Sequence, residues 1–162
     1  MFVCLGNICR SPLAHGVFRD LVSKAALTHR FEIASSGTGA WHVGESPDAR
    51  MQQTARHHGI SLGDLRAQQF QPADLDAFDH IFVMDKHNLH DVLYLDRDDR
   101  HGHKVRLFRE FDPEPGDYQV PDPYYGGPQG FDHVFAIVER TARHLLHQLV
   151  QESDLAGGKE DG

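Results

Sequence analysis

Cysteine, basic side chains and long apolar runs are all scarce in this chain. Two cysteines among 162 residues suit a reducing cytoplasm. The 16 Lys+Arg face 24 Asp+Glu, and the net charge of −8 argues against broad nucleic-acid binding. No apolar run reaches membrane-spanning length, and the first residues lack the basic and apolar stretches of a secretion signal. We therefore expect a cytoplasmic protein with no nucleic-acid partner and no membrane partner.

The remaining composition is typical of a soluble globular protein. Hydrophobic residues make up 40% of the chain and charged residues 25%. A length of 162 residues predicts one domain with a proper core, which we place over residues 1–152. Residues 153–162 are Gly-rich and charged, and we expect them to form a disordered tail. The 13 histidines are scattered without a recognisable ligand set, so we expect no metal site.

Strands alternate with amphipathic helices along the chain, which is typical of a parallel sheet covered on both faces. The predicted fold class is therefore α/β, a single-domain, open, four-stranded parallel sheet with helices on both faces. We expect strands at Met1–Leu5, Phe31–Ser35, Phe78–Met84 and Val105–Phe108. We expect helices from Ser11 with an apolar stripe at Leu13, Val17 and Leu21, from Ser46 to about His58, from Asp85 through Leu95, and after Gly130.

The segment Val3–Pro12, with the sequence VCLGNICRSP, carries the most informative local pattern. Six positions separate Cys4 from Arg10 across a strand end, a tight turn and a helix start. Gly6 and Asn7 accept positive φ, which lets the chain double back. The free N–H groups of such a turn converge on one point that suits an oxyanion. The segment therefore predicts a loop of phosphate size at the carboxyl end of the first strand, where open α/β sheets bind ligands.

The same loop predicts a reactive thiol. Ser11 and Pro12 form an N-cap and first-turn pair, so Cys4 lies beside a helix N-terminus. Amide N–H groups and the Arg10 guanidinium favour a Cys4 thiolate, to which the Ser11 hydroxyl could donate. Arg10 can also grip two phosphate oxygens at once. The alternative is that Cys4 is a buried small hydrophobic residue, which is the commoner fate of a free cysteine.

A second segment, Val120–Gly127, has the sequence VPDPYYGG. Its two prolines fix Asp122 in an extended loop. A carboxyl group there could protonate a leaving oxygen and then activate a water molecule. Tyr124 and Tyr125 could form apolar walls that stack on an aromatic ring. Taken alone, this segment favours a turn that merely carries surface aromatic residues.

The two segments together resemble the low-molecular-weight protein tyrosine phosphatases. The resemblance runs from Met1 to about Leu149 and includes matching segments at Ser35–Arg50, His58–Ile60 and Val83–Leu89. It implies a Rossmann-like phosphatase domain with the phosphatase loop directly after the first strand. The implied activity is hydrolysis of phosphotyrosine and small aryl phosphates through a phosphocysteine intermediate, with no metal and no other cofactor.

The resemblance also implies a role for each site residue. Cys4 is the nucleophile, Arg10 is the phosphate clamp, and Asp122 is the general acid and then the general base. The implied phosphate-binding loop consists of Leu5, Gly6, Asn7, Ile8, Cys9 and Ser11, and the implied substrate cleft includes Trp41, Tyr124 and Tyr125. Cys9 matches a family cysteine that can trap oxidised Cys4 as a disulfide. The implied partners are phosphotyrosine proteins, with inorganic phosphate or vanadate as ligands, and the implied state is a monomer or weak dimer.

Met1, Leu65 and Asp85 lead to three further expectations about how the phosphate loop is held. Met1 lies only three positions ahead of Cys4, where the family has several more residues, which predicts a short first strand with few ladder bonds. Leu65 stands where many members have a histidine that braces the loop, which predicts weaker support of Asn7. Asp85 could belong to the site or cap the helix that follows it, and the cap is the preferred interpretation.

Two alternative functions remain open at this point. The first is an arsenate reductase of the same fold, since arsenate mimics phosphate, but such enzymes need further cysteines and this chain has only Cys9 beyond Cys4. The second is an inactive module that binds phosphate or a phosphopeptide. The shortage of cysteines argues against the reductase, and the joint presence of Cys4, Arg10 and Asp122 argues against the inactive module.

Overall fold

The computed structural model describes residues 1–124, 126 and 128–157, and the side chains of residues 1–124, 126 and 130–154. Three 3-10 helices, at Thr28–Arg30, Gly102–Lys104 and Phe108–Phe111, accompany the regular elements. The strands are β1 (Phe2–Cys4), β2 (Ser35–Gly37), β3 (Ile81–Val83) and β4 (Val105–Leu107). The helices are α1 (Arg10–Lys24), α2 (Ala49–His57), α3 (Pro72–Ala77), α4 (Lys86–Leu95) and α5 (Pro128–Gly157). Within the described chain, no helix is both long and apolar enough to cross a membrane.

The four strands form one parallel sheet in the order β2-β1-β3-β4. This confirms the predicted fold class. β1 has three residues, as short as expected, yet it pairs on both sides: Phe2 lies opposite Ser35 of β2 and Phe82 of β3. Pairing also continues past the strand, because Cys4 O accepts from Thr38 N–H at 2.9 Å and Leu5 O accepts from Gly39 N–H at 2.8 Å. The short strand is therefore firmly anchored, contrary to the expectation of few ladder bonds.

Helices cover both faces of the sheet because alternate strand residues point to opposite sides. Phe2, Cys4 and Phe82 pack in the cluster formed with α1, α2 and α5. Val3 and Val83 pack in a second cluster with α3 and α4. The direction in which successive strands are added to the sheet reverses between β1 and β3, and such a reversal leaves a crevice at the carboxyl edge of the sheet. That edge is where the Cys4 loop lies.

Several element boundaries differ from the predicted ones. β2 is Ser35–Gly37 rather than Phe31–Ser35, because its register against β1 starts at Ser35 and the Phe31 ring packs edge-on against Phe18 instead. α2 begins after Asp48, whose carboxylate accepts from Arg50 N–H at 2.8 Å and caps the helix. β3 and β4 are shorter than expected. The short helix α3 was not predicted; Pro72 and a capping box of Gln71 and Asp74 start it.

The last helix differs most from the prediction. α5 begins at Pro128, before Gly130, and continues to Gly157, so residues 153–157 are helical rather than disordered. Arg30 explains part of this extension, since its Nη2 donates to Ser153 Oγ at 2.6 Å and lies 3.5 Å from Asp154 Oδ1. The rest of the predicted tail, residues 158–162, lies outside the described residues.

Candidate active site

A sharp turn between β1 and α1 forms the predicted phosphate loop. Asn7 adopts φ 56°, as predicted for the reversal of the chain. Gly6 does not adopt the predicted positive φ; its lack of a side chain matters because a Cβ there would lie 3.0 Å from His42 Cδ2. Gly37 of β2 meets the loop from the other side, where a Cβ would lie 2.7 Å from Leu5 O. The loop is thus held between two backbone segments that approach it closely.

The Cys4 thiol lies at the centre of a buried hydrogen-bond network. Cys4 Sγ is 3.0 Å from Ser11 Oγ, and Asn7 Nδ2 donates to the same Ser11 oxygen at 2.7 Å. Ser11 Oγ also lies 3.2 Å from Ser36 O, so the single hydroxyl proton can be donated either to this carbonyl or to a Cys4 thiolate. Cys4, Asn7 and Ser11 are at most 3% exposed. The prediction that Ser11 caps α1 is wrong, because Cys9 is the N-cap and the Ser11 hydroxyl points inward to the thiol.

Asn7 is supported from a segment that the sequence did not suggest. Gln68 N–H donates to Asn7 Oδ1 at 3.0 Å, and the Gln68 side chain donates to Ser35 O at 2.9 Å. Gly37 N–H in turn donates to Gln68 O at 2.8 Å. Leu65 packs against the core instead of bracing the loop. The Gln68 backbone therefore supports the Asn7 side chain, although Leu65 does not.

Arg10 connects the phosphate loop with the two segments that face it. Its Nη1 donates to Asp85 Oδ2 at 2.7 Å and to Val120 O at 3.0 Å, and its Nη2 lies 3.5 Å from Asp122 Oδ2. Arg10 is only 3% exposed. Burial alone would lower its pKa, but the neighbouring Cys4, Asp85 and Asp122 together raise the pKa above its usual value. The guanidinium is consequently a fixed positive charge beside the thiol.

Asp85 performs both of the roles considered from the sequence. Its Oδ1 accepts from Asn88 N–H at 2.8 Å and caps α4, in a capping box with the Asn88 side chain. Its Oδ2 binds Arg10. The preference for the cap alone was incomplete, because a carboxylate has two oxygens and each one has its own partner.

The loop that carries Asp122 is more exposed than the phosphate loop. The Asp122 side chain is 35% exposed, and its Oδ1 accepts from Tyr124 N–H at 3.0 Å. Val120 N–H donates to Met84 O at 2.8 Å, which ties the start of this loop to the end of β3. Tyr124 is partly buried against the core, and Arg50 donates to its carbonyl at 3.2 Å. Tyr125, predicted as a cleft residue, lies outside the described residues.

A cavity of about 280 Å³ brings the predicted residues together. Asn7 and Ser11 do not line it, but Ser11 Oγ lies 3.0 Å from Sγ of the lining residue Cys4. His42, which was not predicted, lines the cavity, and its Nδ1 lies 2.6 Å from Glu45 Oε2. The lining consists of Cys4, Leu5, Gly6, Ile8, Cys9, Arg10, Trp41, His42, Asp122 and Tyr124. A larger cavity of about 420 Å³ opens at the opposite edge of the sheet, but it contains none of these residues. We therefore assign the site to the smaller cavity.

Cys9 differs from Cys4 in its surroundings. Burial, followed by the nearby carboxylate of Asp48, raises the pKa of the Cys9 thiol far above its ordinary value. Cys9 is thus a neutral thiol at physiological pH. Across the part of the chain that the structure describes, no group of three or more His, Cys, Asp or Glu side chains is arranged to hold a metal ion.

Comparisons with known proteins agree with this geometry. The family model described as low molecular weight phosphotyrosine protein phosphatase matches residues 1–155. A phosphatase of this name from Schizosaccharomyces pombe is 46% identical over 150 residues, which are 92% of this chain and 95% of the relative. A low molecular weight protein-tyrosine-phosphatase from Streptomyces coelicolor is 44% identical over 147 residues, 90% of this chain and 89% of the relative.

The solved structures include a close match of the whole fold. The crystal structure of a protein tyrosine phosphatase from Entamoeba histolytica superimposes with a TM-score of 0.88 at 34% identity, and the match covers 94% of this chain and 96% of the other. These similarities favour phosphoester hydrolysis over arsenate reduction and over an inactive binding module. The chain therefore belongs to the low molecular weight phosphotyrosine protein phosphatase family and is a protein tyrosine phosphatase.

Proposed function

We propose that Cys4, Arg10 and Asp122 carry out a two-step hydrolysis of phosphotyrosine. In the first step the Cys4 thiolate attacks phosphorus, the S–P bond forms and the P–O bond to the tyrosine breaks. A protonated Asp122 gives its proton to the leaving phenolate oxygen. In the second step Asp122, now a carboxylate, takes a proton from water, which attacks phosphorus and releases phosphate and the thiolate.

The observation that carries this proposal is the position of Arg10. Its buried guanidinium contacts the two segments that face the phosphate loop, and Cys4 and Asp122 line the same cavity of about 280 Å³. Phosphoryl transfer is catalysed mainly by positioning and by charge stabilisation of the equatorial oxygens. Arg10 and the N–H groups of residues 5–10 are suited to provide both, with the Ser11 hydroxyl stabilising the thiolate.

We infer that the substrates are proteins that carry phosphotyrosine. Trp41 and Tyr124 line the cavity above Cys4, and aromatic walls stack favourably on a phenyl ring. A phosphoserine side chain is too short to place its phosphorus against Cys4 Sγ while its backbone stays outside the cleft. Inorganic phosphate and vanadate are the expected small ligands. We also propose that the protein acts in the cytoplasm as a monomer or weak dimer, which agrees with its two free, buried cysteines.

Replacement of the nucleophile tests the mechanism. Cys4→Ser should reduce hydrolysis of a phosphotyrosine peptide by at least about 10⁴-fold, because a serine hydroxyl is a far weaker nucleophile here. Binding of vanadate or phosphate by the same variant, measured by calorimetry, should remain and shows that the loop is folded. Appreciable turnover by Cys4→Ser would overturn the assignment. Equal rates on phosphotyrosine and phosphoserine peptides would overturn the proposed substrate class.

A further inference from the structure

The Arg109 side chain lies behind the loop that carries Asp122 and outside the lining of the substrate cavity. The Arg109 side chain is only 12% exposed. Nη1 donates to Gln119 O at 2.7 Å, Nη2 donates to Glu114 O at 3.0 Å, and Nε donates to Asp112 Oδ2 at 2.9 Å. These three partners all belong to the connection between the last 3-10 helix and Asp122. Arg109 therefore binds this connection at its beginning, middle and end.

We propose that Arg109 is a positioning residue for the general acid, acting through the backbone of Gln119 and Val120. This inference rests on the proposed acid role of Asp122. Val120 follows the carbonyl that Arg109 holds, and its own N–H and carbonyl are bound by Met84 O at 2.8 Å and Arg10 Nη1 at 3.0 Å. Asp122 comes two residues later, after a proline that restricts φ. The place of the carboxyl group is thus set largely by where Arg109 and Arg10 hold the preceding backbone.

The backbone of the connection is strained at one residue. Tyr118 adopts φ 64°, a left-handed conformation that is unfavourable for a non-glycine residue. The Val120 side chain is buried in the core, but the other side of the loop borders a solvent-open pocket of about 290 Å³ that Arg10, Arg109 and Asp122 also line. On that open side the hydrogen bonds from Arg10 and Arg109 hold the backbone. Loss of the Arg109 hydrogen bonds would therefore let the strained segment relax towards the open pocket.

Arg140 of α5 offers a matched control. It donates to the same buried Asp112 carboxylate, from Nε at 2.7 Å and from Nη2 at 2.9 Å. Its further ion-pair contact is with the Glu114 side chain at 3.4 Å. Arg109, in contrast, also holds the carbonyls of Glu114 and Gln119. A role in stability is therefore shared by both arginines, whereas positioning of the loop distinguishes Arg109 from Arg140.

The dependence of rate on the leaving group tests the proposal. We would measure kcat/KM, which reports the first chemical step, for aryl phosphates whose phenols have pKa values from about 5 to about 10. The wild type should show a shallow dependence, and Asp122→Ala a steep one. The slope for Arg109→Met should lie between these two. Its kcat/KM should fall by about 10-fold or more for the aryl phosphate with the least acidic phenol and by less than about 3-fold for the one with the most acidic phenol. Arg140→Met should have the shallow slope of the wild type.

The outcomes separate this inference from the proposed function. A wild-type slope for Arg109→Met beside a steep slope for Asp122→Ala would overturn the positioning role and leave Asp122 as the acid. A shallow slope for Asp122→Ala would overturn both. Equal steepening in Arg109→Met and Arg140→Met would also overturn the positioning role, because it would trace the effect to Asp112. If Arg109→Met fails to fold, Arg109→Lys keeps the charge beside Asp112 but loses the planar fork, and the same intermediate steepening is then required.

Discussion

In the proposed mechanism the phosphate loop supplies the nucleophile and the Asp122 loop supplies the acid, but the two loops are held in different ways. Cys4, Asn7, Arg10 and Ser11 all come from one short stretch of chain and are at most 3% exposed. The Asp122 side chain is 35% exposed, and its loop depends on side chains from outside the loop, Arg10 and Arg109. The proposed nucleophile, which must be desolvated, is built into the core, whereas the proposed acid, which meets solvent water, is held at the surface by a few hydrogen bonds.

Arg10→Lys should have the largest effect because Arg10 contacts both loops. A lysine ammonium is a single point charge and cannot bind Asp85, the Val120 carbonyl and two phosphate oxygens together. We expect kcat/KM on a phosphotyrosine peptide to fall by about 10²–10³-fold, or about 3–4 kcal/mol of transition-state stabilisation. Arg19→Lys, at an exposed pair with Asp64, is the control and should stay within about 2-fold of wild type. A loss below 10-fold for Arg10→Lys would contradict the bridging role.

The difference between the loops also explains which site residues could be predicted from the sequence and which supporting contacts could not. Cys4, Arg10 and the left-handed Asn7 could be inferred because a strand end, a turn and a helix start follow one another within a few residues. Gln68 could not, because it supports Asn7 through a backbone N–H that almost any residue possesses. Gly37 depends on the strand register, and Arg109 binds carbonyls rather than a recognisable partner side chain. Contacts of this kind become visible only when the chain is folded.

Gly37→Ala should disturb the phosphate loop while leaving the Asp122 loop in place. The added Cβ would lie 2.7 Å from Leu5 O and 3.0 Å from Asn7 N, and these are backbone atoms that cannot rotate away. We expect a loss of about 10- to 100-fold in kcat/KM with a shallow leaving-group slope, and about 1–3 kcal/mol of stability in urea unfolding.

Gly63→Ala is the matched control for this substitution. A Cβ at Gly63 would meet only Gln52 Oε1, at 3.8 Å, so activity and stability should both be nearly unchanged. Wild-type activity in Gly37→Ala would show that the close approach of β2 does not shape the loop.

Asp85→Asn should separate the two roles of that carboxylate. Asparagine is as good an N-cap as aspartate, so α4 should keep its start and stability should change by less than about 1 kcal/mol. The charge opposite Arg10 is lost, however, and the guanidinium should be held less firmly between the loops. We expect kcat/KM to fall by about 10-fold with an unchanged midpoint of urea unfolding. A parallel loss of activity and stability would mean that activity depends on the cap of α4 rather than on the ion pair with Arg10.

The smallest predicted effect is on the pH dependence of folding stability, with no change of activity expected at pH 7. It concerns His15 beside the phosphate loop and Asp112 beside the Asp122 loop. Burial, with a smaller contribution from Arg19, lowers the pKa of His15 to about 4, and His15 Nδ1 lies 3.1 Å from Ser35 Oγ beside the phosphate loop. Because the pKa of His15 is lower in the folded chain than in the unfolded chain, the unfolded chain binds the proton more tightly. The contribution of neutral His15 to folding stability is therefore complete above about pH 6.5 and is lost as the pH falls towards 4.

Asp112, which supports the Asp122 loop, should respond only in more acidic solution. Burial would raise its pKa, but hydrogen bonds from Arg140 and Arg109 outweigh burial and hold the pKa well below the usual range, so its contribution is lost only below about pH 4. Urea titrations at pH 7 and pH 5 measure the free energy of unfolding. Between these pH values it should fall by about 1–2 kcal/mol more in wild type than in His15→Gln. Asp112→Asn should show the same dependence of unfolding free energy on pH as wild type. Identical slopes for wild type and His15→Gln would show that His15 does not couple the phosphate loop to pH.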